Sequence, residues 1–327
     1  MNDVPSLNDT PSLWEAARQE SASYNLFAEH DVLPKWNIPH EVAINVAISG
    51  RAGEGREGGY PCSIDEYIDA AAKVIEAGAC GIHVDFGFVV DRDGRRLDRD
   101  LPLDEANKRV IGPLRDRFGW NFVTNCNVLT ASTFEECMRP ITKGFAEVAP
   151  CAAAHPEAFL IPAMKTAAEY GVKPEIVVHD SGEILLAKQR LIDTGIVTKP
   201  YNWIILYGMP FNLGRTLASG TALFDTEDMT THMLLMVNQI RKIDPTSVIT
   251  ICAGGRATLY MTTLATMLGL NIRVGVEDTI WKYPNSDEVF ENNLEMFLAA
   301  RDIALRLGRR PATANEYRQM IGLKARD

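Results

Sequence analysis

From residue 41 onward the chain alternates between two hydrophobic periods. Short apolar, β-rich runs come first: "EVAINVAISG", "GIHVDFG", "NFVTNCN", "FAEVAPCA", "PEIVVHD", "YNWIILYG", "SVITICAGG" and "NIRVGVED". Each is followed by a longer segment whose apolar residues recur at helical spacing. One of these, "SIDEYIDAAAKVIEAG", carries its own boundaries. Ser63 with Glu66 three residues on forms a capping box, and Gly78 stands where a helix closes. Another, "PLDEANKRVIGPLRDRFG", begins acidic and ends basic, as the helix dipole favours, and its Pro113 predicts a kink or a split.

Eight strand–helix units in roughly 285 residues predict an α/β chain folded as a (β/α)8 TIM barrel over residues 41–327. A doubly wound open sheet is the competing arrangement, and its usual sign is a glycine-rich phosphate turn after the first strand. The stretch "SGRAGEGREGGYP" (49–61) is glycine-rich but does not read GxGxxG. It reads instead as a long, mobile loop over the catalytic face of a barrel. Residues 1–40 include the amphipathic "SLWEAARQESASYNLFAEH" and predict an N-terminal extension. This arm lies on the barrel or on a neighbouring subunit, or else caps the barrel bottom.

Composition narrows the class. Hydrophobic residues at 46% and charged residues at 23% are ordinary for a soluble enzyme. A net charge of −10 argues against nucleic acid as a partner, because phosphate contact needs clustered Lys and Arg. No apolar run approaches the ~20 residues of a membrane span, and the acidic N-terminus is unlike a secretory signal, so a cytoplasmic protein is expected. The six cysteines show no paired spacing, which predicts small buried thiols rather than disulfides.

Strand alternation then sorts the candidate chemistry, since residues two apart share a face. In "GIHVDFG", Ile82, Val84 and Phe86 turn outward and His83 and Asp85 turn into the barrel. In "NIRVGVED", Arg273, Gly275 and Glu277 form the inward set, with Asp278 at the strand end. In "PEIVVHD", Glu175, Val177 and His179 share a face. Buried charges need partners or a cation. So many of them predict either a metal centre or an internal salt-bridge network, with Arg273 on Glu277 and His83 on Asp85. The stretch "AGGR" (253–256) offers Arg256 and backbone N–H groups to a phosphate or carboxylate, or is a tight turn. "HDSGE" (179–183) suits a helix cap. No Cys-His or Ser-His-Asp spacing argues for a covalent nucleophile. His30, His40, His155 and His232 lie outside the strand ends and read as surface or packing residues.

The segments "EAGACGIHVD", "YGVKPEIVVHDSG", "GIVTKPYNWIILYGMP", "AGGR", "NIRVGVEDTIW" and "ALRLGRRPATANEYRQMI" occur in this order at barrel-like spacing. Together they resemble the β-keto acid cleavage enzyme family, typified by the 3-keto-5-aminohexanoate cleavage enzyme. The resemblance implies a homo-oligomeric barrel holding a catalytic divalent metal, usually zinc. It also implies condensation of a β-keto acid with acetyl-CoA, giving acetoacetate and a CoA ester. Carried over residue by residue, it makes His83 and Glu277 metal ligands, Asp278 the base and Arg273 the partner of a substrate carboxylate. The chain departs from the family at several places. Asp85 stands where the family has a second histidine. The third-strand serine falls at or near Cys126, and the fourth-strand threonine near Glu147 or Val148. Arg51 and Ala52 replace a glutamate that binds an ammonium group in the typifying enzyme, which favours an acidic or neutral substrate. His179 occupies a usually aromatic position, and either helps hold the metal or is a hydrogen-bonded wall residue. A shell of His83, Glu277 and one or both of Asp85 and His179 is richer in oxygen and brings Mn2+ or Fe2+ into competition with Zn2+. Two other readings stand beside this one: a CoA-independent, metal-dependent lyase of retro-aldol type, and a barrel without chemistry that serves as a binding or assembly subunit.

Overall fold

The computed structural model describes residues 14–20, 35–50, 58–87, 89–128, 132–207 and 225–327. The chain divides into two compact units, Met1–Ile38 and Pro39–Asp327. In the first, residues 14–20 are helical. Arg51 and His30, and most of the glycine-rich loop expected over the catalytic face, lie outside the described residues.

In the second unit eight parallel strands close into a barrel. They are β1 (Ile44–Ala47), β2 (Gly81–Val84), β3 (Val123–Cys126), β4 (Val148–Ala152), β5 (Lys173–Val178), β6 (Asn202–Tyr207), β7 (Val248–Ala253) and β8 (Asn271–Val274). Pairing of β8 with β1, Asn45 opposite Arg273, closes the ring and excludes the open sheet. The helices that follow the strands are α1 (Ile64–Glu76), α2 (Leu103–Phe118), α3 (Phe134–Thr142), α4 (Glu157–Glu169), α5 (Ser181–Ala187), α6 (Thr226–Ile243), α7 (Thr258–Met267) and α8 (Asn293–Arg306). A last helix, α9 (Ala314–Met320), follows α8.

Local signals in the chain set several of these boundaries. Ser63 and Glu66 form the reciprocal capping box at the start of α1, and Gly78 follows its end at φ 107°, a region that glycine enters without a Cβ clash. Asp180 caps α5 by accepting the Glu183 amide. Helix α2 runs unbroken through Pro113, so the expected split does not occur.

Two hydrophobic layers result from strand alternation. Ile44, Val46, Ile82, Val84, Ile272 and Val274 face outward and pack under the helices in one continuous core. Full burial of each such side chain contributes about 1.5–3 kcal/mol relative to exposure. Inside, Ala43, Cys80, Val123 and Val148 meet Tyr317 and Ile321, so the C-terminal segment plugs the N-terminal end of the barrel. Five of the six cysteines are buried, and all six are free thiols. No helix among the described residues is long and apolar enough to cross a membrane.

Candidate active site

The polar side chains of the barrel interior converge at the C-terminal ends of β2, β3 and β8. His83 lies on β2 with Ile82 and Val84 turned to the helices, which leaves its ring inside. Its backbone carbonyl accepts a hydrogen bond from the buried Tyr67 hydroxyl of α1 at 3.2 Å. Glu277 and Asp278 reach the same place because the chain turns sharply after β8. At Gly275, φ is +150°, and a Cβ there would meet the Ala47 carbonyl oxygen at 2.0 Å. Only glycine permits so close an approach of the eighth strand to the first. The turn is held by the Asp278 amide on the Gly275 carbonyl, 3.1 Å, and by the Val276 amide on Asn293 Oδ1, 3.0 Å. Asn293 in turn donates to the Ile48 carbonyl, at 2.9 Å.

Ligand atoms of His83, Asp85 and Glu277 all lie within 4.8 Å of one another, and the three residues are buried. His83 Nδ1 lies 3.1 Å from Asn125 Oδ1, while the Asn125 amide nitrogen donates to Glu175 Oε2 at 2.8 Å. With the amide oriented by Glu175, the proton of a neutral His83 sits on Nδ1 and the lone pair on Nε2. That lone pair faces Glu277 Oε1 at 3.5 Å. Two acceptors face each other across this gap, an arrangement that suits a cation between them. Burial, and then the Arg273 charge, push His83 well below the usual imidazole range, against the Asn125 hydrogen bond. A neutral imidazole is the form that ligates metal. Asp85 is held at both oxygens, by the Gly87 amide at 2.8 Å and by Asn127 Nδ2 at 2.6 Å. One nitrogen and two carboxylates, buried together, fit a divalent cation.

Arg273 lies beside this group. It binds Asp278 through Nε at 3.0 Å and Nη2 at 2.7 Å, and Nη2 also reaches Glu277 Oε1 at 3.1 Å. Burial opposes the Arg273 charge, but Asp278 above all, and then Glu277, outweigh it and keep the guanidinium protonated. The Cys252 thiol donates to Asp278 Oδ2 at 3.2 Å.

The remaining sequence candidates are spread out. His179 Nδ1 and its backbone amide both engage Glu183 Oε2 at 2.8 Å, and His179 is not part of the three-residue group. Cys126 faces the helices in the outer core, and burial pushes its thiol far up. The inward positions of that strand belong to Asn125 and Asn127, one residue to either side. Glu147 precedes β4 and so sits at the opposite, N-terminal end of the barrel, bound by Arg318 at 2.7 Å and Arg115 at 2.7 Å. Arg256 stacks on Trp281 at 3.9 Å and pairs with Asp287 at 2.6 Å. Sequence reasoning missed Asn125, Asn127 and Tyr67. The first two had a legible signal: two amides spaced as N-x-N on the strand beside H-x-D.

The sequence model of the beta-keto acid cleavage enzyme family matches residues 121–323. The 3-keto-5-aminohexanoate cleavage enzyme of Fusobacterium nucleatum subsp. nucleatum is 30% identical over 156 residues, 48% of this chain and 50% of that protein. The chain thus spans about half the length of the curated relative it matches. Among solved structures, ObcA in a binary complex with oxaloacetate superposes with a TM-score of 0.66 at 18% identity, covering 84% of this chain and 69% of ObcA. A ternary complex of ObcA with a C4-CoA adduct and oxalate also gives 0.66 at 18%, covering 83% and 69%. At such identity these structures show a shared fold.

Proposed function

The chain belongs to the beta-keto acid cleavage enzyme family, and from that premise we propose that it is a metal-dependent enzyme of carbon–carbon bond cleavage and condensation on a β-keto acid. The proposed co-substrate is acetyl-CoA, with acetoacetate and a CoA ester as products. The observation that carries this reading is the convergence of His83, Asp85 and Glu277 within 4.8 Å beside the Arg273–Asp278 pair.

His83, Asp85 and Glu277 are the proposed ligands of a divalent metal, for which Zn2+, Mn2+ and Fe2+ are the candidate ions; His179, tethered to Glu183, is a wall residue in this reading. When bound, such an ion supplies Lewis-acid polarisation of a keto oxygen. The protein's own groups do the rest. Arg273 uses Nε and Nη2 to fix Asp278, and its Nη1 is the nitrogen offered to a substrate carboxylate. Asp278, aligned by Arg273 and Cys252, takes a proton from the substrate carbon and returns it. Val177, Ile204 and Cys252 form a buried apolar cluster that Cys252 brings against Asp278. ObcA, with the same fold, holds oxaloacetate in one complex and a C4-CoA adduct in another, which supports a keto acid and a CoA thioester as small-molecule partners.

A second reading, a CoA-independent lyase of retro-aldol type, is favoured by Asp85 in place of the family's histidine. Metal analysis followed by assay of a β-keto acid panel with and without acetyl-CoA tests both. CoA-ester formation supports the first and cleavage without CoA the second. A protein that binds no metal and turns over none of the panel would sink both, and would favour a binding or assembly subunit.

A further inference from the structure

Strands β2 and β3 run side by side with His83 opposite Asn125, and the Asn127 amide continues the pairing on the Val84 carbonyl at 3.0 Å. The two inward asparagines therefore lie against the two inward ligand candidates, one each. Asparagine is suited to both tasks, because its amide carries an acceptor and a donor. Asn125 turns its oxygen to the His83 ring, at 3.1 Å, and Asn127 turns its nitrogen to the Asp85 carboxylate, at 2.6 Å.

The Asp85 contact is short, runs from a half-buried amide to a buried carboxylate, and is reinforced at the other oxygen by the Gly87 amide. Each carboxylate oxygen accepts one hydrogen bond and keeps a further lone pair. These two donors fix the plane of the carboxylate. Partners of this kind orient a ligand and tune the bound ion, and their loss costs affinity.

We infer that Asn127 is a positioning residue that fixes Asp85 as a hard oxygen ligand, and that the Asp85–Asn127 pair narrows the preference of the site for Zn2+ over Mn2+. The inference rests on the metal-binding reading of His83, Asp85 and Glu277 given above. Its physical basis is ligand softness: exchanging an imidazole nitrogen for a carboxylate oxygen moves a site toward harder ions.

The test is a competition titration of the full-length, chelator-stripped protein with Zn2+ and with Mn2+ against a chromophoric chelator. Thermal unfolding of the stripped protein reports the fold of each variant. Asn127→Leu removes the amide while keeping bulk, and is expected to weaken Mn2+ binding roughly 10–100-fold. Asp85→His is expected to raise the ratio of Zn2+ to Mn2+ affinity by at least about tenfold. Should Asn127→Leu fail to fold, Asn127→Ser, smaller and still polar, takes its place and is expected to weaken Mn2+ binding in the same direction. Wild-type metal binding with Mn2+ affinity unchanged in a folded Asn127 variant overturns the positioning role. An unchanged affinity ratio in Asp85→His overturns the selectivity. A wild-type protein that binds neither ion overturns the metal-binding reading itself, a different result from either of these.

Discussion

Arg273 grips Asp278 with two nitrogens, Nε to Oδ2 at 3.0 Å and Nη2 to Oδ1 at 2.7 Å. Both groups are buried, and the pair comes from one short segment, the end of β8 and the turn that follows. A planar fork can meet both carboxylate oxygens at once; an ammonium cannot. Arg273→Lys is therefore expected to keep the charge but lose the orientation of Asp278. Turnover of a β-keto acid should fall about 100-fold, the usual cost of a misplaced reacting group. Metal content measured on the same preparation should stay near that of the wild type. Unchanged turnover would remove Arg273 from the alignment of Asp278.

Gly275 is the second sensitive point. Its missing side chain lets the Ala47 carbonyl oxygen lie where a Cβ would be, 2.0 Å away, with backbone at both ends of the clash. Neither strand can yield without loosening the closure of the barrel. Gly275→Ala is expected to cost at least about 2–3 kcal/mol from overpacking and strain. Denaturant unfolding measures this, and a variant within about 0.5 kcal/mol of the wild type would contradict it.

Glu147 provides a contrast, since the structure puts it at the far end of the barrel. Burial raises its carboxyl, but Arg318 first, then Arg115 and Arg326, outweigh this and hold it below the usual range. Arg318 is itself fully buried, and also donates to the Trp120 and Phe122 carbonyls at 2.8 and 2.9 Å. Glu147→Gln leaves these guanidinium groups without their carboxylate. A loss of about 3–5 kcal/mol in stability is expected, as when one partner of a buried ion pair is removed. Substrate KM, measured on the folded fraction, should not move. A changed KM with intact stability would return Glu147 to the substrate site.

Lys173 gives a pH signature. Its Nζ donates to the Thr198 carbonyl at 3.2 Å, and among the described residues no carboxylate pairs it. Burial lowers its pKa to about 8 from 10.5. Between those values the unfolded chain binds more protons than the folded one, so this group makes stability rise with pH from about 8 to 10.5. Below that window the full cost of the buried charge is present, at most about 3 kcal/mol. Lys173→Met should be more stable than wild type at pH 7, and the difference should shrink as pH rises through the window. Unfolding curves of both proteins at pH 7 and above 9 check this; a constant difference across pH would rule it out.

How much of this was legible beforehand differs from residue to residue. Alternation alone turned His83, Asp85 and Arg273 inward, because a strand offers only two faces and the apolar residues claimed one of them. The same rule applied to "NFVTNCN" was enough to find Asn125 and Asn127. The family's third-strand serine falls at or near Cys126, whose side chain faces the helices, and a shift of one residue along a strand turns a side chain to the opposite face.

The sequence by itself determined the eight-unit barrel, the caps of α1 and α5, and the inward sense of the second and eighth strands. These are local properties, written in periodicities of two and 3.6 and in short-range hydrogen bonding. Only the tertiary structure decided that Glu277 closes on His83, that Asn125 sets the His83 tautomer, and that Glu147 belongs to the opposite end of the barrel from the acids it resembles. Each of these depends on strand register, on the close passage of Gly275 over Ala47, and on contacts between residues 42 to 194 positions apart. No local pattern along the chain encodes such distances.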